Sequence, residues 1–362
     1  MSEETYTERG PGQGAGAAAQ PQPLLGPLTT AAHFLVLTVD PGGEERVRDV
    51  LQDLSGLVRS FGFGAPEAGL NCVAAVGADV WERLFALPRP AELHPFRELQ
   101  GAAHRAPATP GDVLFHIRAY RQDLCFALAT EIMARLRGAV TVQDETQGFK
   151  YLDFRDLLGF VDGTENPQGR AAREAAVIGA EDPAYGGGSY VIVQKYLHDL
   201  DAWNTLPTET QERVIGRRKL DNVELPETAS HVALTTIEEP DGTEREILRD
   251  NMPFGSPGAG EFGTYFIGYA RTPEVTELML RRMFLGTDAA SHDRILDFST
   301  AVTGTLFFAP PAGFLDDLPP APAPAHSALT ESGTGAAATE GSTPPRHDGS
   351  LGIGDLNRST AP

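Results

Sequence analysis

The sequence contains few cysteines and no long apolar run. Its 362 residues include two cysteines, Cys72 and Cys125, which are too few for a disulfide framework and fit a reducing compartment. Cys125 falls within an apolar helical pattern, LCFALATEIM, where packing is the simplest role. No stretch approaches the roughly 20 apolar residues that a membrane-spanning helix requires. These absences argue against a secreted disulfide scaffold and against a membrane-spanning protein.

Basic residues are also scarce. Asp and Glu number 50 against 29 Lys and Arg, which gives a formal net charge of -21. Nucleic acid and anionic membrane surfaces both require a basic face, so we expect neither as a partner. The N-terminal stretch MSEETYTERGPGQG is acidic and polar, whereas a secretory signal is basic and then apolar. We therefore expect a cytoplasmic protein.

Composition divides the chain into a folded body and flanking segments. Residues 1–27 are rich in Gly, Ala, Pro and Gln, and they bury too little apolar surface to offset the entropy of ordering. We predict that they are disordered. Residues 316–347 predict a flexible Pro/Ala/Gly linker, and residues 348–362 form a separate tail. The body between them, residues 28–315, has the length of one large domain.

The body divides into two similar halves, at about 28–150 and 185–315. Helical spacing of apolar residues predicts a helix from Val47 to Phe61, and Pro273 suits the first turn of a second helix at 273–284. Each half predicts the order β-α-β-β-α-β, which is ferredoxin-like. The fold class is therefore α+β with duplicated ferredoxin-like halves. The predicted strands are 33–39, 71–77, 112–119, 139–143, 189–197, 246–249, 262–270 and 303–309, and the other predicted helices are about 121–137 and 208–217.

The densest polar motif is GFVDGTENP, residues 159–167. Asp-Gly and Asn-Pro are common turn formers, so an ordinary turn is one interpretation. The apolar approach LLGFV favours a second interpretation, because it tends to carry Asp162 inward. A carboxylate on the wall of a buried pocket is a candidate general base.

Three further stretches carry candidate site residues. His231 opens the apolar run HVALTTI, where an ordinary packed or surface histidine is the common case. The stretch RDNMPFG, residues 249–255, also suits a surface turn. In SHDRILDFSTAVTG, residues 291–304, Asp293 and Asp297 suit the start of a helix or ion pairs with nearby arginines. None of these stretches is decisive alone.

Taken together, these stretches resemble the dye-decolourising peroxidases and, within them, the B-type branch. GFVDGTENP matches the GxxDG motif of that family with its TxNP extension. His231, followed 18 residues later by Arg249 and then by Asn251, matches the haem ligand and distal pair of the branch. The stretch LDFSTAVTGTLFF and the duplicated plan are also similar. The resemblance covers about residues 30–315 and implies a fold of the dimeric α/β-barrel type.

The resemblance implies a site and a reaction. One haem b per chain is held without covalent attachment, in keeping with the absence of a CxxCH motif. His231 is its axial iron ligand, and Asp293 supports the imidazole through its other nitrogen. Asp162 moves the peroxide proton, Arg249 stabilises the leaving oxygen and Asn251 orients peroxide. Hydrogen peroxide is reduced while a dye, a phenol or Mn(II) gives up single electrons. The family also implies a homo-oligomer, a dimer or a hexamer.

The C-terminal tail, DGSLGIGDLNRSTAP, carries apolar residues after a polar linker. A loose tail without a specific role is the ordinary interpretation. However, SLGIGDL resembles the cargo-loading peptide of encapsulin nanocompartments, which implies an encapsulin shell as partner and a location inside it. Leu351, Ile353 and Leu356 would contact the shell, while Gly352 and Gly354 would let the backbone approach closely. Burying three such side chains yields roughly 4–9 kcal/mol before ordering costs, so several tails on one oligomer would add avidity.

Two other functions stay open at the level of sequence. One is a haem-binding or haem-handling protein without significant turnover, which needs His231 but neither a base nor a cation opposite it. The other is a ferredoxin-like ligand-binding module without haem, in which the acidic loops only shape turns. The pair Asp162 and Arg249 distinguishes a peroxidase from a carrier.

Overall fold

The structure is a computed structural model that describes residues 19–163 and 166–323. The predicted tail at 348–362, most of the predicted linker (324–347) and residues 1–18 lie outside the described residues, as do residues 164 and 165 of the GFVDGTENP motif. No described helix has the length and apolar character needed to cross a membrane.

The first half alternates strands and helices in the predicted order, with a small hairpin inserted after the second strand. Its longest helix places Val47, Leu51 and Leu54 on one buried face, as their spacing predicts. The elements of this half are β1 (Ala31–Val39), α1 (Glu44–Gly62), β2 (Asn71–Gly77), α2 (Ala78–Leu84), β3 (Leu99–Gln100), β4 (Arg105–Ala106), β5 (Val113–Ala119), α3 (Gln122–Arg135) and β6 (Val140–Phe149).

The second half repeats this plan with more short elements. The strand predicted at 246–249 is two residues long, because only Leu248 and Arg249 pair with the neighbouring strand. Its elements are α4 (Gly169–Ala176), β7 (Ser189–His198), α5 (Leu200–Asn204), α6 (Thr208–Ile215), α7 (His231–Thr235), β8 (Ile237–Glu238), β9 (Glu244–Arg245), β10 (Leu248–Arg249), β11 (Met252–Ser256), β12 (Glu261–Ala270), α8 (Pro273–Leu285), β13 (Ser299–Ala301), β14 (Thr305–Ala309) and α9 (Ala312–Asp316). Single 3₁₀ turns lie at Pro23–Leu25, Pro66–Ala68, Leu152–Phe154, Pro257–Ala259 and Arg294–Asp297.

The main strands form one antiparallel sheet in the order β10-β12-β7-β14-β2-β5-β1-β6, while β11 pairs with β12 and β13 with β7. Within each half, the four main strands lie in the order fourth, first, third, second, which is the ferredoxin-like arrangement. The halves join where Phe307 and Phe308 of β14 pair with Gly77 and Val76 of β2. The predicted α+β class with duplicated ferredoxin-like halves is thereby confirmed.

The sheet curves so that its two ends meet. Gly148 of β6 lies under Met252 of β11, and a Cβ at Gly148 would stand 2.4 Å from the Met252 Cβ. The sheet therefore has an inner apolar face and an outer face covered by helices. In β1, Phe34 and Val36 point inward while Leu35 belongs to the cluster under the helices. Burial on both faces explains why this strand is apolar throughout and does not alternate.

Residues 19–27 pack on the body, so the prediction of disorder as far as residue 27 is wrong for this stretch. The Gln22 Nε2 donates to the carbonyls of Ala74 (2.7 Å) and Pro310 (2.9 Å). The Ala74 amide donates back to the Gln22 Oε1 at 2.8 Å, and Leu24 is 1% exposed. One amide and one leucine anchor a segment whose average composition is typical of disorder.

The predicted linker also begins too early, because residues 316–323 contact the body. Arg48 of α1 donates to the Pro319 carbonyl at 2.8 Å, and the Ala86 amide donates to the Pro320 carbonyl at 2.9 Å. Proline lacks an N–H but keeps its carbonyl acceptor. The proline-rich composition therefore does not prevent this stretch from forming hydrogen bonds with the folded body.

Candidate active site

A cavity lies in the second half between the outer face of the sheet and α8. Gln194, Tyr196 and His198 alternate along β7 and point toward it, while Val191 and Val193 point into the barrel. Its empty space is about 1180 Å³ with the open mouth included, which exceeds the roughly 300–1,000 Å³ of enclosed ligand pockets because part of it is open to solvent. The polar residues predicted for the site that line this cavity are Asp162, His231, Arg249 and Asn251.

His231 is the first residue of α7, and the chain around it fixes its position. Ser230 caps the helix, since its hydroxyl accepts the Ala233 amide at 3.3 Å. The His231 Nδ1 donates to the Asp293 Oδ2 at 2.7 Å. Asp293 is fully buried, and its other oxygen accepts the Ile295 amide at 3.0 Å. The predicted pairing of His231 with Asp293 is thus present in the structure.

This hydrogen bond sets the chemistry of the imidazole. Burial lowers the pKa of His231, but the Asp293 carboxylate outweighs that effect and the pKa is raised overall. A carboxylate only accepts hydrogen bonds, so in the neutral imidazole Nδ1 carries the proton and Nε2 holds the lone pair. The described residues give Nε2 no hydrogen-bond partner. The ring therefore offers one free nitrogen to whatever occupies the cavity.

The predicted distal residues also meet at this cavity. The Asn251 Nδ2 donates to the Asp162 Oδ2 at 3.3 Å. The Asn251 Oδ1 accepts the Ile267 amide of β12 at 3.2 Å, which fixes the side-chain amide between strand and loop. Arg249 lines the same cavity, without a hydrogen bond to Asp162 among the described residues. A carboxylate, an amide and a guanidinium therefore converge on one space.

Asn166 positions Arg249, a role that the sequence did not indicate. The Asn166 Oδ1 accepts the Arg249 amide at 2.9 Å, and its Nδ2 donates to the Arg249 carbonyl at 2.5 Å. These two bonds join the backbone of β10 to the loop that carries Asp162. Asn166 belongs to the GFVDGTENP motif, which marks it as a candidate site residue. Its contact with Arg249 was not predictable, because the two residues are 83 positions apart in the sequence.

Asp250, between Arg249 and Asn251, points away from the cavity into the barrel. It is 3% exposed and forms an ion pair with Arg118, which is 1% exposed. His116 lies beside this pair, with its Nε2 3.9 Å from the Asp250 Oδ2. Because neighbouring residues of an extended chain face opposite sides, anchoring Asp250 inside the barrel directs both of its neighbours toward the cavity.

Asp156 is a second carboxyl on the cavity wall that sequence reasoning missed. Its Oδ1 accepts the Phe160 amide at 2.9 Å. Burial, opposed by that hydrogen bond and reinforced by the negative charge of Asp162, raises the pKa of Asp156 to about 7. A carboxyl that titrates near neutrality in a cleft is a candidate proton carrier. Its position six residues before Asp162, without a motif of its own, gave no signal.

The cavity wall fits a large planar ligand with polar groups. Two buried polar atoms on the wall, the Gln194 Nε2 and the Thr276 Oγ1, have no hydrogen-bond partner among the described residues. Arg217 also lines the cavity, and its guanidinium pairs with Glu224 at 2.9 Å and donates to the Asn222 carbonyl at 3.0 Å. The free His231 nitrogen and the apolar walls suit haem, which needs an axial ligand and a dry pocket. The apolar residues on the wall are Leu158, Phe160, Val161, Ile215, Val232, Ile247, Phe266, Met279, Leu280, Met283 and Ile295.

Comparison with known proteins agrees with this geometry. The family described as "Dyp-type peroxidase, N-terminal" matches residues 21–150, and "Dyp-type peroxidase, C-terminal" matches residues 153–314. These matches correspond to the two halves of the fold. The first begins within the N-terminal stretch that packs on the body.

Similar proteins extend over nearly the whole chain. A dye-decolorizing peroxidase from Mycolicibacterium paratuberculosis is 59% identical over 345 residues, which are 94% of each chain. The encapsulated DyP-type peroxidase from Mycobacterium smegmatis, a cryo-EM structure, is 60% identical with a TM-score of 0.83, over 84% of this chain and 100% of that one. A DypB variant from Rhodococcus jostii RHA1 in complex with heme is 56% identical with a TM-score of 0.80, over 83% of this chain and 99% of that one. This chain belongs to the Dyp-type peroxidase family.

Proposed function

We propose that the protein is a B-type haem peroxidase that binds one haem b without a covalent bond, between His231 and the group Asp162, Arg249 and Asn251. It reduces hydrogen peroxide and oxidises a dye, a phenol or Mn(II) in one-electron steps. The observation that carries the proposal is a single cavity with a carboxylate-supported imidazole on its wall and a hydrogen-bonded carboxylate and amide converging on the same space. Membership of the family and the heme complex of the Rhodococcus relative support it.

His231 would hold the haem iron through its free Nε2. Asp293 keeps the proton on Nδ1 and makes the ligating nitrogen more basic. Bound haem would supply the redox-active iron at which peroxide is reduced and which regains its electrons, one at a time, from the reducing substrate. Because Asp293 is fully buried and bonded to the Ile295 amide, the ring orientation is set before the cofactor binds.

On the distal side, the chain moves one proton and stabilises one charge. Asp162 accepts a proton from the peroxide oxygen that is retained and delivers it to the oxygen that departs as water. Arg249 stabilises the negative charge on that departing oxygen without exchanging a proton. Asn251 orients peroxide, since its amide is already held by Asp162 and the Ile267 backbone. Asn166 holds the Arg249 backbone in place.

A haem carrier is the competing function, and the distal group argues against it. A carrier requires His231 but has no use for a base and a cation across the cavity. The chain maintains the distal arrangement with a buried ion pair at Asp250 and two hydrogen bonds from Asn166. These supports favour catalysis over transport.

The test compares Arg249→Leu with wild type in stopped-flow mixing with hydrogen peroxide. We expect the rate of the peroxide step to fall roughly 10²–10³-fold, the usual cost of losing a charge-stabilising donor, with the Soret band retained. Asp162→Asn separates the base from the cation, and His231→Ala removes the ligand and should change the Soret band. Arg121→Leu, at an exposed arginine paired with Asp123, is the control. An unchanged rate in Arg249→Leu rejects its role.

We also propose that residues 348–362 direct the protein into an encapsulin shell in the cytoplasm. The support is the sequence SLGIGDL and the encapsulated relative from Mycobacterium smegmatis. Leu351, Ile353 and Leu356 contact the shell, while Gly352 and Gly354 permit close approach. The chain acts as a dimer or hexamer, so several tails bind together and gain avidity.

Deleting residues 348–362 should abolish co-purification with a co-expressed shell protein and leave peroxidase turnover unchanged. A triple substitution of Leu351, Ile353 and Leu356 by Ser keeps the tail length and should have the same effect. Size-exclusion chromatography with light scattering reports the oligomeric state of each variant. Continued loading of either variant, with the oligomer intact, refutes the role of the tail.

A further inference from the structure

A cluster of two histidines and one aspartate lies outside the haem cavity. The Asp297 Oδ1 is 3.0 Å from the His104 Nε2 and 2.9 Å from the His292 Nε2. The two imidazole centroids are 4.7 Å apart, and the three ligand atoms lie within 4.8 Å of one another. Nothing in the peroxidase mechanism uses these side chains.

The ligands come from distant parts of the chain. His104 lies between β3 and β4, whereas His292 precedes the 3₁₀ turn Arg294–Asp297 and Asp297 is the last residue of that turn. The hairpin is firmly seated, because a Cβ at Gly101 would stand 2.0 Å from the carbonyl of Phe284 at the end of α8. Packing against α8 therefore holds this part of the first half against the second.

Two imidazole nitrogens and one carboxylate oxygen form a donor set suited to zinc, copper, nickel or iron, whereas magnesium and calcium prefer all-oxygen sites. The second nitrogen of His292, Nδ1, is 3.1 Å from the Ser291 hydroxyl. Such a partner fixes the ring and leaves Nε2 facing the metal. The arrangement resembles open metal sites, in which three protein ligands leave a position for water.

Access and charge also suit a cation. The side chains of His104, His292 and Asp297 are 24%, 21% and 37% exposed, so an ion can enter from solvent. One competing cation is present: the Arg294 Nε lies 4.0 Å from the Asp297 Oδ2. It faces the other carboxylate oxygen and leaves Oδ1 to the imidazoles. The net charge of -21 enriches cations near the surface.

We propose that His104, His292 and Asp297 bind one divalent transition-metal ion, with water completing the coordination shell. The ion joins the β3–β4 hairpin of the first half to the 3₁₀ turn Arg294–Asp297, whose N-cap is Asp293. It stabilises the fold across the two halves and steadies the turn that carries the His231 partner. A hydrogen-bonded cluster without metal is the competing interpretation, and it predicts no stoichiometric binding.

The experiment uses haem-loaded, tag-free protein stripped with EDTA and titrated with ZnCl₂ by isothermal calorimetry, with zinc counted by elemental analysis. We expect one zinc per chain and a rise in Tm of about 5 °C at hundredfold excess over Kd. His292→Gln and His104→Ala should weaken zinc binding by more than roughly 10–100-fold, the cost of losing even a supporting partner. Titration with MgCl₂ should give no heat of stoichiometric binding.

His94→Ala is the matched control, because His94 also pairs with a carboxylate, Glu277, at 3.1 Å but belongs to no three-residue cluster of possible metal ligands among the described residues. It should keep full zinc binding. Circular dichroism confirms that each variant is folded, and Asp297→Asn serves as a further ligand variant. Zinc binding below one equivalent in wild type, or binding unchanged in all three ligand variants, overturns the proposal whatever the peroxidase activity is.

Discussion

Three consecutive residues, the last of β10 and the two that follow it, point in alternating directions. Arg249 and Asn251 face the cavity, while Asp250 faces the barrel and pairs with Arg118. Arg118 also donates to the Pro23 carbonyl at 2.5 Å and to the Asn71 Oδ1 at 3.1 Å. A buried charge pair contributes little net stability, but removing one partner leaves an uncompensated charge. The ion pair thus acts mainly to fix the direction of the strand.

Asp250→Ala should therefore lower the free energy of unfolding by about 3–5 kcal/mol, because it leaves the Arg118 charge buried alone. Denaturant unfolding followed by circular dichroism measures the loss. Asp123→Ala breaks the exposed pair with Arg121 and should change little. The double variant Arg118→Met with Asp250→Leu should recover much of the stability. If it remains as unstable as Asp250→Ala, the isolated charge is not the cause.

His198 makes folding sensitive to acid. Its nitrogens lie 2.8 Å from the Ser299 hydroxyl and 2.9 Å from the Thr264 hydroxyl, and burial lowers the pKa of His198 to about 4. In the unfolded chain a histidine takes up its proton near pH 6.5, while in the folded chain it does so only near pH 4. The unfolded state therefore binds more protons across this window, and stability falls as pH drops from about 6.5 to 4.

The expected result is that His198→Gln loses less Tm between pH 7 and pH 5 than wild type does. Glutamine keeps hydrogen-bonding groups near both hydroxyls but cannot titrate. Differential scanning calorimetry across this range measures the slope, and His94→Gln controls for the loss of one imidazole elsewhere. Parallel Tm profiles for His198→Gln and wild type would show that His198 does not contribute.

The short helix α7 carries His231 at its first position. Helix α7 is only five residues long, too short to be stable without its cap and its packing. Gly216, at the end of α6, has φ of 95°, and a Cβ there would stand 2.4 Å from the Ser230 hydroxyl and 3.2 Å from the Val232 Cβ. The start of α7 therefore packs against Gly216 so closely that a side chain there would collide with Ser230.

Gly216→Ala should displace Ser230 and with it His231, so haem binding should weaken and the Soret and ferric EPR spectra should change. Gly138→Ala is the matched control, because Gly138 also has positive φ, 74°, yet no atom of residues 19–163 and 166–323, apart from its chain neighbours, lies within 4 Å of its Cβ position. Both variants carry left-handed strain of roughly 1–2 kcal/mol. Equal spectra in the two variants would mean that contact with Ser230 is irrelevant to the site.

The long elements were predictable because their patterns are local. Runs such as HFLVLTV predicted β1, and the spacing of Val47, Leu51 and Leu54 predicted α1. Helix α7 was not predicted, because the β-branched residues of HVALTTI favour a strand and because the helix depends on the cap from Ser230. The 3₁₀ turn at Leu152–Phe154 has positive φ at Asp153 and Phe154, a conformation that these residue types do not indicate.

The site was predictable in its residue types but not in its supports. The pairing of His231 with Asp293 follows the family spacing and is present in the structure, while the catalytic roles of Asp162, Arg249 and Asn251 stay predictions. The supporting bonds from Asn166, and the ion pair between Arg118 and Asp250, join segments 83 and 132 residues apart. No local pattern encodes such contacts, because they depend on how the sheet brings strands together.

Within the described residues, the N-terminal stretch 19–27 contacts the segment that follows β14. The N-terminal stretch crosses β2 and meets the segment that follows β14: Gln22 binds the Pro310 carbonyl, and the Ala312 amide donates to the Gln20 carbonyl at 3.0 Å. Through Pro23 it also contacts Arg118, the partner of Asp250. The predicted disorder failed here because composition averages over a window, whereas a few buried groups decide whether a segment packs.

Gln22→Ala should destabilise the whole fold, because it leaves the Ala74 amide, the Ala74 carbonyl and the Pro310 carbonyl without their partner. Unsatisfied buried groups cost about 1–3 kcal/mol each, and Gln22 is 3% exposed, so we expect a loss of several kcal/mol and a clear fall in Tm. Gln20→Ala is the control, since Gln20 is exposed and only its backbone carbonyl is used. Deleting residues 1–18 removes none of these contacts and should leave Tm unchanged, whereas deleting residues 1–25 should lower it at least as much as Gln22→Ala. Equal Tm values for both deletions would mean that the N-terminal stretch rests on the body without stabilising it.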